Sequence, residues 1–182
     1  MSDTKNDLYV NIQEINSDQD NQYILLMNNI FNYDNESIKI SLDNGADINK
    51  QHKEFGAPLM FAVREKNIEA LKILIDNNAN CNIQHQSGFT ALMIAIFLLK
   101  SESIGHETSH RADNLIYREI AKILILRGVD IEIQTDSGGT VHQIYMKMYD
   151  FYIYLPINYF FYVLFCHSFL RHKYSLFEQC HL

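Results

Sequence analysis

Apolar residues recur along the chain in short blocks with helical spacing, and polar turns separate the blocks. The polar turn at 44–49 (Asn-Gly-Ala-Asp-Ile-Asn) is matched by 77–82, and the apolar block 57–62 is matched by 90–95. Both matches have a spacing of 33 residues, and two interleaved patterns with one such period are typical of a stacked repeat array. The pattern predicts an all-α domain in which each unit buries its apolar face against its neighbours.

Two helices are predicted in the first unit. Apolar residues begin at Tyr23 and continue at helical spacing to Ile30, with asparagines on the opposite face. A second, shorter helix is predicted around the apolar residues Ile38, Ile40 and Leu42. We expect it to end at Asn44-Gly45, because glycine adopts the left-handed conformation that closes a helix.

The next units follow the same plan with one interruption. Pro58 is predicted in the first turn of a helix, Thr90 is predicted to cap the next one, and Asn77-Asn78 closes the helix between them. A third copy of the polar turn, at 127–132, follows the second after 50 residues, which is one repeat plus 17. We therefore predict a polar loop between helices at 100–116 and a last helix from Val141 to about Tyr149.

These phrases resemble the ankyrin repeat, through Gly-Ala-Asp-Ile-Asn at 45–49 and Gly-Phe-Thr-Ala-Leu at 88–92. The resemblance implies helix–turn–helix units joined by finger-like hairpin loops and stacked into a curved solenoid that binds proteins. The family's Thr-Pro-Leu-His motif is incomplete, since Met60 and Met93 replace its histidine and Ala57 replaces its first threonine. Each lost hydrogen bond removes about 1 kcal/mol, so we expect an array of low stability.

The pattern divides the chain into three parts. We expect a flexible acidic N-terminal tail at 1–21, a repeat domain at 22–150 and an aromatic-rich C-terminal segment at 151–182. Within the repeat domain, the predicted units are 22–55, 56–87, 88–137 with the insertion 100–116, and a partial unit at 138–150.

Composition and charge narrow the class of partner. The formal net charge of -7 gives no general attraction to phosphate backbones, so nucleic acid is not expected as a partner. Three cysteines, an odd number with no close pairing, fit reduced thiols in a cytoplasmic protein. The first 22 residues have no apolar core of a signal peptide. We expect a cytoplasmic monomer without a cofactor.

One short motif suggests metal chemistry. His106-Glu107-Thr108-Ser109-His110 has the His-Glu-x-x-His form that binds zinc on a helix and uses the glutamate as a general base. It lies in the predicted insertion, and no third ligand is evident from the sequence. A second set, Cys166, His172, Cys180 and His181, matches no compact zinc module. A zinc-dependent hydrolase therefore stays a minor alternative, and we predict no catalytic residues.

The C-terminal segment leaves two interpretations open. Residues 151–170 contain no Asp, Glu, Lys or Arg and are about as long as a membrane span. Pro156 and Asn158 interrupt them, and the many tyrosines favour an interface over a bilayer centre. The segment is interpreted either as a cap on the last repeat or as a membrane anchor for the ankyrin domain.

The main functional hypothesis is a non-enzymatic module that binds a partner protein, not identifiable from sequence, through its loop tips and inner helix face. The predicted contact residues are those at the three loop tips: Lys50, Gln51, His52, Lys53, Glu54, His85, Gln86, Ser87, Thr135, Asp136 and Ser137.

Overall fold

A computed structural model describes residues 18–101 and 109–144, with side chains at 21–99 and 114–144. Six helices are described in this part of the chain, and they form three antiparallel pairs. In chain order they are α1 (Asp18–Phe31), α2 (Asn35–Asp43), α3 (Pro58–Arg64), α4 (Ile68–Asp76), α5 (Ala91–Ser101) and α6 (Ser109–Leu126). Residues 141–144, at the end of the described part, are also helical. The architecture is the predicted all-α repeat solenoid.

The pairs stack in register. The first helix of each pair packs on the first helix of the next, and the second helices α2, α4 and α6 form a parallel outer row. Leu59, Leu71, Leu92 and Leu124 are all at most 2% exposed and belong to one continuous core. This confirms that the units are held together by shared apolar seams, because no single pair buries its own face.

Helix ends repeat with the same period as the sequence. Gly45, Asn78 and Gly128 have φ values of 89°, 64° and 78° where the outer helices end. Asp34 and Asn67, 33 residues apart, cap the starts of α2 and α4 by accepting from the backbone N–H groups of Ser37 and Ala70. Side-chain caps therefore fix where α2 and α4 begin, and left-handed residues fix where the outer helices end.

The inner helices are α1, α3 and α5, the first helices of the three pairs. The N-terminal caps of α3 and α5 differ, as the sequence predicts. Thr90 Oγ1 accepts from the N–H of Met93 at 3.4 Å, whereas Ala57 offers no side-chain cap to α3. Pro58 occupies the first turn of α3 and so leaves one fewer N–H group to satisfy. Met60 and Met93 are at most 1% exposed, so they fill the core at the positions of the family's histidine.

Two predicted boundaries and one predicted core residue were wrong. Helix α1 begins at Asp18, so residues 18–21 are helical and do not belong to a loose tail. Helix α6 begins at Ser109, so the second half of the predicted loop 100–116 is helix as well. Ile40 was expected on the apolar face of α2 but is 57% exposed. Its counterpart in the next unit, Ile73, is partly buried because α2 precedes it in the outer row.

Candidate functional site

Three hairpin loops, which we call finger 1 (52–56), finger 2 (85–89) and finger 3 (135–139), project between successive units. Each is closed by backbone hydrogen bonds between its first and last residues. The N–H groups of His52, His85 and Thr135 donate to the carbonyls of Gly56, Phe89 and Gly139 at 3.0, 2.8 and 3.0 Å. The fingers are thus tight turns with defined tips.

The fingers are stacked on one another. His85 in finger 2 places Nε2 3.0 Å from the carbonyl oxygen of Lys53 in finger 1, and Nδ1 3.3 Å from Ser87 Oγ. Gln84 donates to the carbonyl of Gln134 at 2.7 Å, beside finger 3. These contacts hold the three tips in a row, so the row can act as one preformed surface.

A second row of hydrogen bonds lies at the polar turns between units. Asn49 Oδ1 accepts from the N–H of Asn80 at 2.8 Å, and Asn82 Oδ1 accepts from the N–H of Asp130 at 2.9 Å. In each case an asparagine side chain from one unit satisfies a backbone donor of the next polar turn, directly after the N–H groups that bond back to the helix. We refer to these two bonds as the asparagine ladder.

The predicted contact residues divide by exposure. The exposed ones are Gln51, Lys53, Glu54, Gln86, Ser87, Asp136 and Ser137. Lys50, His52 and His85 are half-buried, and Lys50 lies over the Tyr23 ring at 5.2 Å. Thr135 is 6% exposed, and its hydroxyl accepts from the N–H of Gly139 at 3.1 Å. His85 and Thr135 therefore shape the fingers from within.

A groove that the sequence analysis did not predict lies between finger 2 and the inner helices. It has a volume of about 370 Å³ and is lined by Arg64, His85, Ser87, Phe89, Ile94, Phe97, Leu98 and Tyr117. Phe97 is 52% exposed and meets Phe89 edge to face at 6.3 Å. Helix α5 is apolar from Ala91 to Leu99. Because it has no polar face there, the sequence does not indicate which of its side chains face the groove.

The charges beside the groove come mainly from the second unit. Arg64 is exposed and donates to the carbonyl of Glu54 at 3.4 Å. Lys66 lies 5.4 Å from the ring centre of Tyr117, one of the lining residues. Burial raises the pKa of the Glu65 carboxyl, and the neighbouring Lys66 charge partly offsets that rise. The groove thus combines an aromatic wall with cations at its edge.

The residues that carried the alternative hypotheses lie largely outside the described part. Among the described side chains, no three His, Cys, Asp or Glu residues are close enough to hold a metal ion. The motif residues 106–108 are not described, nor is the segment 145–182 with its cysteines and aromatic residues. None of the helices found in residues 18–101 and 109–144 is long and apolar enough to cross a membrane.

The repeat region resembles known proteins in its structure and in its repeat pattern. A comparison with curated whole-protein sequences found no match. Among solved structures, the ankyrin repeat domain of Bcl-3, described as a unique member of the IkappaB protein family, aligns with a TM-score of 0.52 and 22% identity. The alignment covers 65% of this chain and 45% of that chain, so this chain spans less than half of that structure.

A model of ankyrin repeats, in three copies, matches residues 26–135. These residues include fingers 1 and 2, the first residue of finger 3 (Thr135), the asparagine ladder and all of helices α1–α6 except the first two turns of α1. The matched region makes up more than half of the sequence and spans the three stacked pairs apart from residues 18–25. The chain belongs to the ankyrin repeat family, whose repeats are modules for protein–protein interaction.

Proposed function

We propose that this protein is a non-enzymatic binding module that holds a partner protein along the side formed by the finger tips and the inner helices. The observation that carries the proposal is the groove between finger 2 and helices α3 and α5, with the half-exposed Phe97 in its wall. A large aromatic side chain exposed in a concave surface loses contact with water when a partner covers it, which favours association.

Three further features support this surface. Exposed side chains at all three finger tips lie in one hydrogen-bonded row, so a partner meets a surface that is already ordered. Backbone bonds fix each tip, while the exposed side chains Gln86, Ser87 and Asp136 make no contribution to the core. Their identity can therefore be varied to suit a partner without loss of the fold.

Site-specific photo-crosslinking tests the proposal. A photoreactive amino acid is placed in the full chain at Gln86 on finger 2 or at Phe97 in the groove, and at Glu69 on the exposed face of α4 as a control. In extracts of the cells that express the protein, we expect the first two positions to crosslink to one shared partner protein. Glu69 is expected to give no such product, because it lies on the outer row.

The proposal fails if the same protein crosslinks equally from Glu69, or if the finger and groove positions give no common product. A partner captured from Glu69 alone would place the binding surface on the outer helices. Competition provides a second check, since the chain without the photoreactive residue should suppress the Gln86 product in a concentration-dependent way.

A further inference from the structure

One position, repeated on the inner helices α1, α3 and α5, holds an aromatic, a cationic and an aromatic side chain in turn. Arg64 and Phe97 are 33 residues apart and occupy the same position in α3 and α5. Phe31 holds that position in α1, where it is partly buried against the core. Both Arg64 and Phe97 line the groove and are exposed, so a cation and an aromatic ring lie side by side in consecutive units.

Arg64 is available for a partner's anion. Its one described hydrogen bond goes to the backbone carbonyl of Glu54, at the long distance of 3.4 Å. Within the described residues, no carboxylate lies within salt-bridge distance of Arg64, whereas Arg127 pairs with Asp76 at 2.7 Å. A guanidinium has five N–H donors, and it binds a carboxylate best when two of them are used together.

Phe97 and Phe89 supply the neighbouring apolar wall. Their rings meet at an angle of 79°, and Ile94 and Leu98 complete the lining on the α5 side. A cavity of about 370 Å³ is at the lower end of the range for ligand pockets, so it suits side chains of a partner better than a whole helix. An inserted apolar side chain would bury both rings further.

The spacing between the two subsites sets the spacing of the groups they bind. Packed helices lie about 8–10 Å apart, and a chain in the extended polyproline II conformation advances about 3.1 Å per residue with three residues per turn. Equivalent positions in adjacent units are therefore about three residues apart along such a peptide, and side chains three residues apart point to the same side of it.

We propose that the groove binds an extended segment of the partner with a carboxylate and a large apolar side chain three residues apart. The carboxylate pairs with Arg64, and the apolar side chain packs against Phe97 and Phe89. This inference rests on the proposed function and specifies the chemistry of the partner. A single carboxylate fits better than an acidic run, because the net charge of -7 repels a strongly acidic segment at long range.

Defined peptides test this directly. The probes are peptides of Gly and Ser with blocked ends that carry one Glu and one Phe at positions i and i+3, made in both orders, with no other charged residue. Matched probes carry Gln in place of Glu, or place the two residues six apart. Binding to the full chain is followed by saturation-transfer NMR of the Phe ring protons and by titration. We expect the Glu peptide with the three-residue spacing to bind about tenfold more tightly than its Gln counterpart.

Variants assign the two subsites. Arg64→Glu should abolish the preference for Glu and create a preference for a peptide with Lys at that position. Phe97→Ser should weaken every probe that contains Phe, by about tenfold. Both residues are exposed, so the variants should fold, and circular dichroism with urea unfolding confirms this. Lys72→Glu and Leu126→Ser, on the outer helices α4 and α6, are matched controls that should bind like the unmodified chain.

Each outcome decides the question. Equal binding of Glu and Gln probes, equal binding at both spacings, an unchanged preference in Arg64→Glu, or no binding of any probe overturns the inference. The wider function is judged separately by crosslinking. A partner captured from Gln86 and Phe97 together with peptides that show no charge preference would leave the function in place and remove this partner chemistry.

Discussion

Finger 1 and finger 2 have the same role but are built in different ways. Finger 2 has glycine at its fourth position, Gly88, while finger 1 has Phe55 there and its glycine one residue later, at Gly56. Finger 1 is stabilised by ring contacts, since Phe55 stacks on His52 at 4.9 Å and meets Phe61 edge to face at 5.2 Å. Finger 2 instead lies directly against the backbone of finger 3, where the N–H of Asp136 donates to the carbonyl of Ser87 at 3.5 Å.

The difference shows that stacking fixes the position of each finger, while the residues that form the turn can differ from one finger to the next. At Gly88, a Cβ atom would stand 2.5 Å from the backbone nitrogen of Asp136 and 2.7 Å from Thr135 Cα. At Gly56, the nearest atom is the sulfur of Met60, at the end of a flexible side chain. Glycine is therefore required by the neighbouring finger in one case and mainly by its own φ of 74° in the other.

The largest effect is expected at finger 2. Gly88→Ala combines a left-handed φ of 76° with a backbone clash, so we expect it to lower the free energy of unfolding by about 3 kcal/mol or more. Urea unfolding of the full chain measures this. Gly138→Ala is the matched control, because its φ is 79° but nothing lies within 4 Å of the new Cβ, and it should cost only about 1 kcal/mol. Equal losses in the two variants would contradict the claimed contact between fingers.

Gly56→Ala should fall between these two values. Its φ carries the same conformational cost, and the Met60 side chain can shift to relieve the clash, so we expect a loss of about 2 kcal/mol. The same urea titration ranks it. A loss as large as that of Gly88→Ala would show that finger 1 is held as rigidly as finger 2.

The ring contacts in finger 1 are tested by Phe55→Ser. Removal of a half-buried ring that touches two others should cost about 1–2 kcal/mol. Glu54→Ser, at the adjacent exposed position, should change stability by less than about 0.5 kcal/mol. If both variants unfold at the same urea concentration, the rings contribute nothing and finger 1 depends on its backbone bonds alone.

The two bonds of the asparagine ladder should contribute equally to the free energy of unfolding. Asn82→Ala removes one side chain to backbone bond and is expected to cost about 1 kcal/mol, and Asn49→Ala should cost the same. Glu132→Ala is the control, since this exposed residue occupies the same position in the third unit, where the described residues show no bond from its side chain to a later turn. A clear loss in Glu132→Ala would show that the ladder continues into the fourth unit.

The smallest effect concerns pH. Because burial raises the pKa of Glu65 in the folded chain, ionisation disfavours folding, and this penalty appears as the pH rises from about 4.5 through the raised value. Glu65→Gln should therefore be slightly more stable than the unmodified chain at neutral pH, and the gain should vanish below pH 4. Thermal unfolding across this range checks the sign, and a gain only at acidic pH would refute the assigned direction.

The sequence predicted the fold through residues whose role is local or strictly periodic. Gly45 and Asn78 mark left-handed helix ends, Thr90 caps α5, and the leucines at period 33 lie in the shared core. The start of α6 was misplaced because its first turns are polar on most sides and resemble a loop in composition. Ile40 was misplaced because its burial depends on an earlier helix pair, and within the described residues no pair packs on the outer side of α2 ahead of it.

The candidate site was predicted only in part, for a similar reason. Loop tips follow from the turn residues, but whether a tip residue faces outward depends on its tertiary contacts. His85 is held by the carbonyl of Lys53 in finger 1, and the Thr135 hydroxyl is bound by Gly139 within finger 3. The groove depends on how α3 and α5 stack, which places Arg64 beside Phe97. Aligning the inner helices by the 33-residue period would have paired these two positions, although no single helix reveals that they share a surface.

The asparagine ladder makes each joint independent of the length of chain inside a unit. The bond from Asn49 spans 31 residues to Asn80, and the equivalent bond from Asn82 spans 48 residues to Asp130, yet their lengths are 2.8 and 2.9 Å. The third pair is the longer one, since α5 and α6 have 11 and 18 residues against 7 and 9 in α3 and α4. Extra chain within a helix pair therefore leaves this bond to the preceding unit unchanged. A gene that encodes such an array can gain sequence at this point and evolve it freely, while the interfaces that propagate the stack stay as they were.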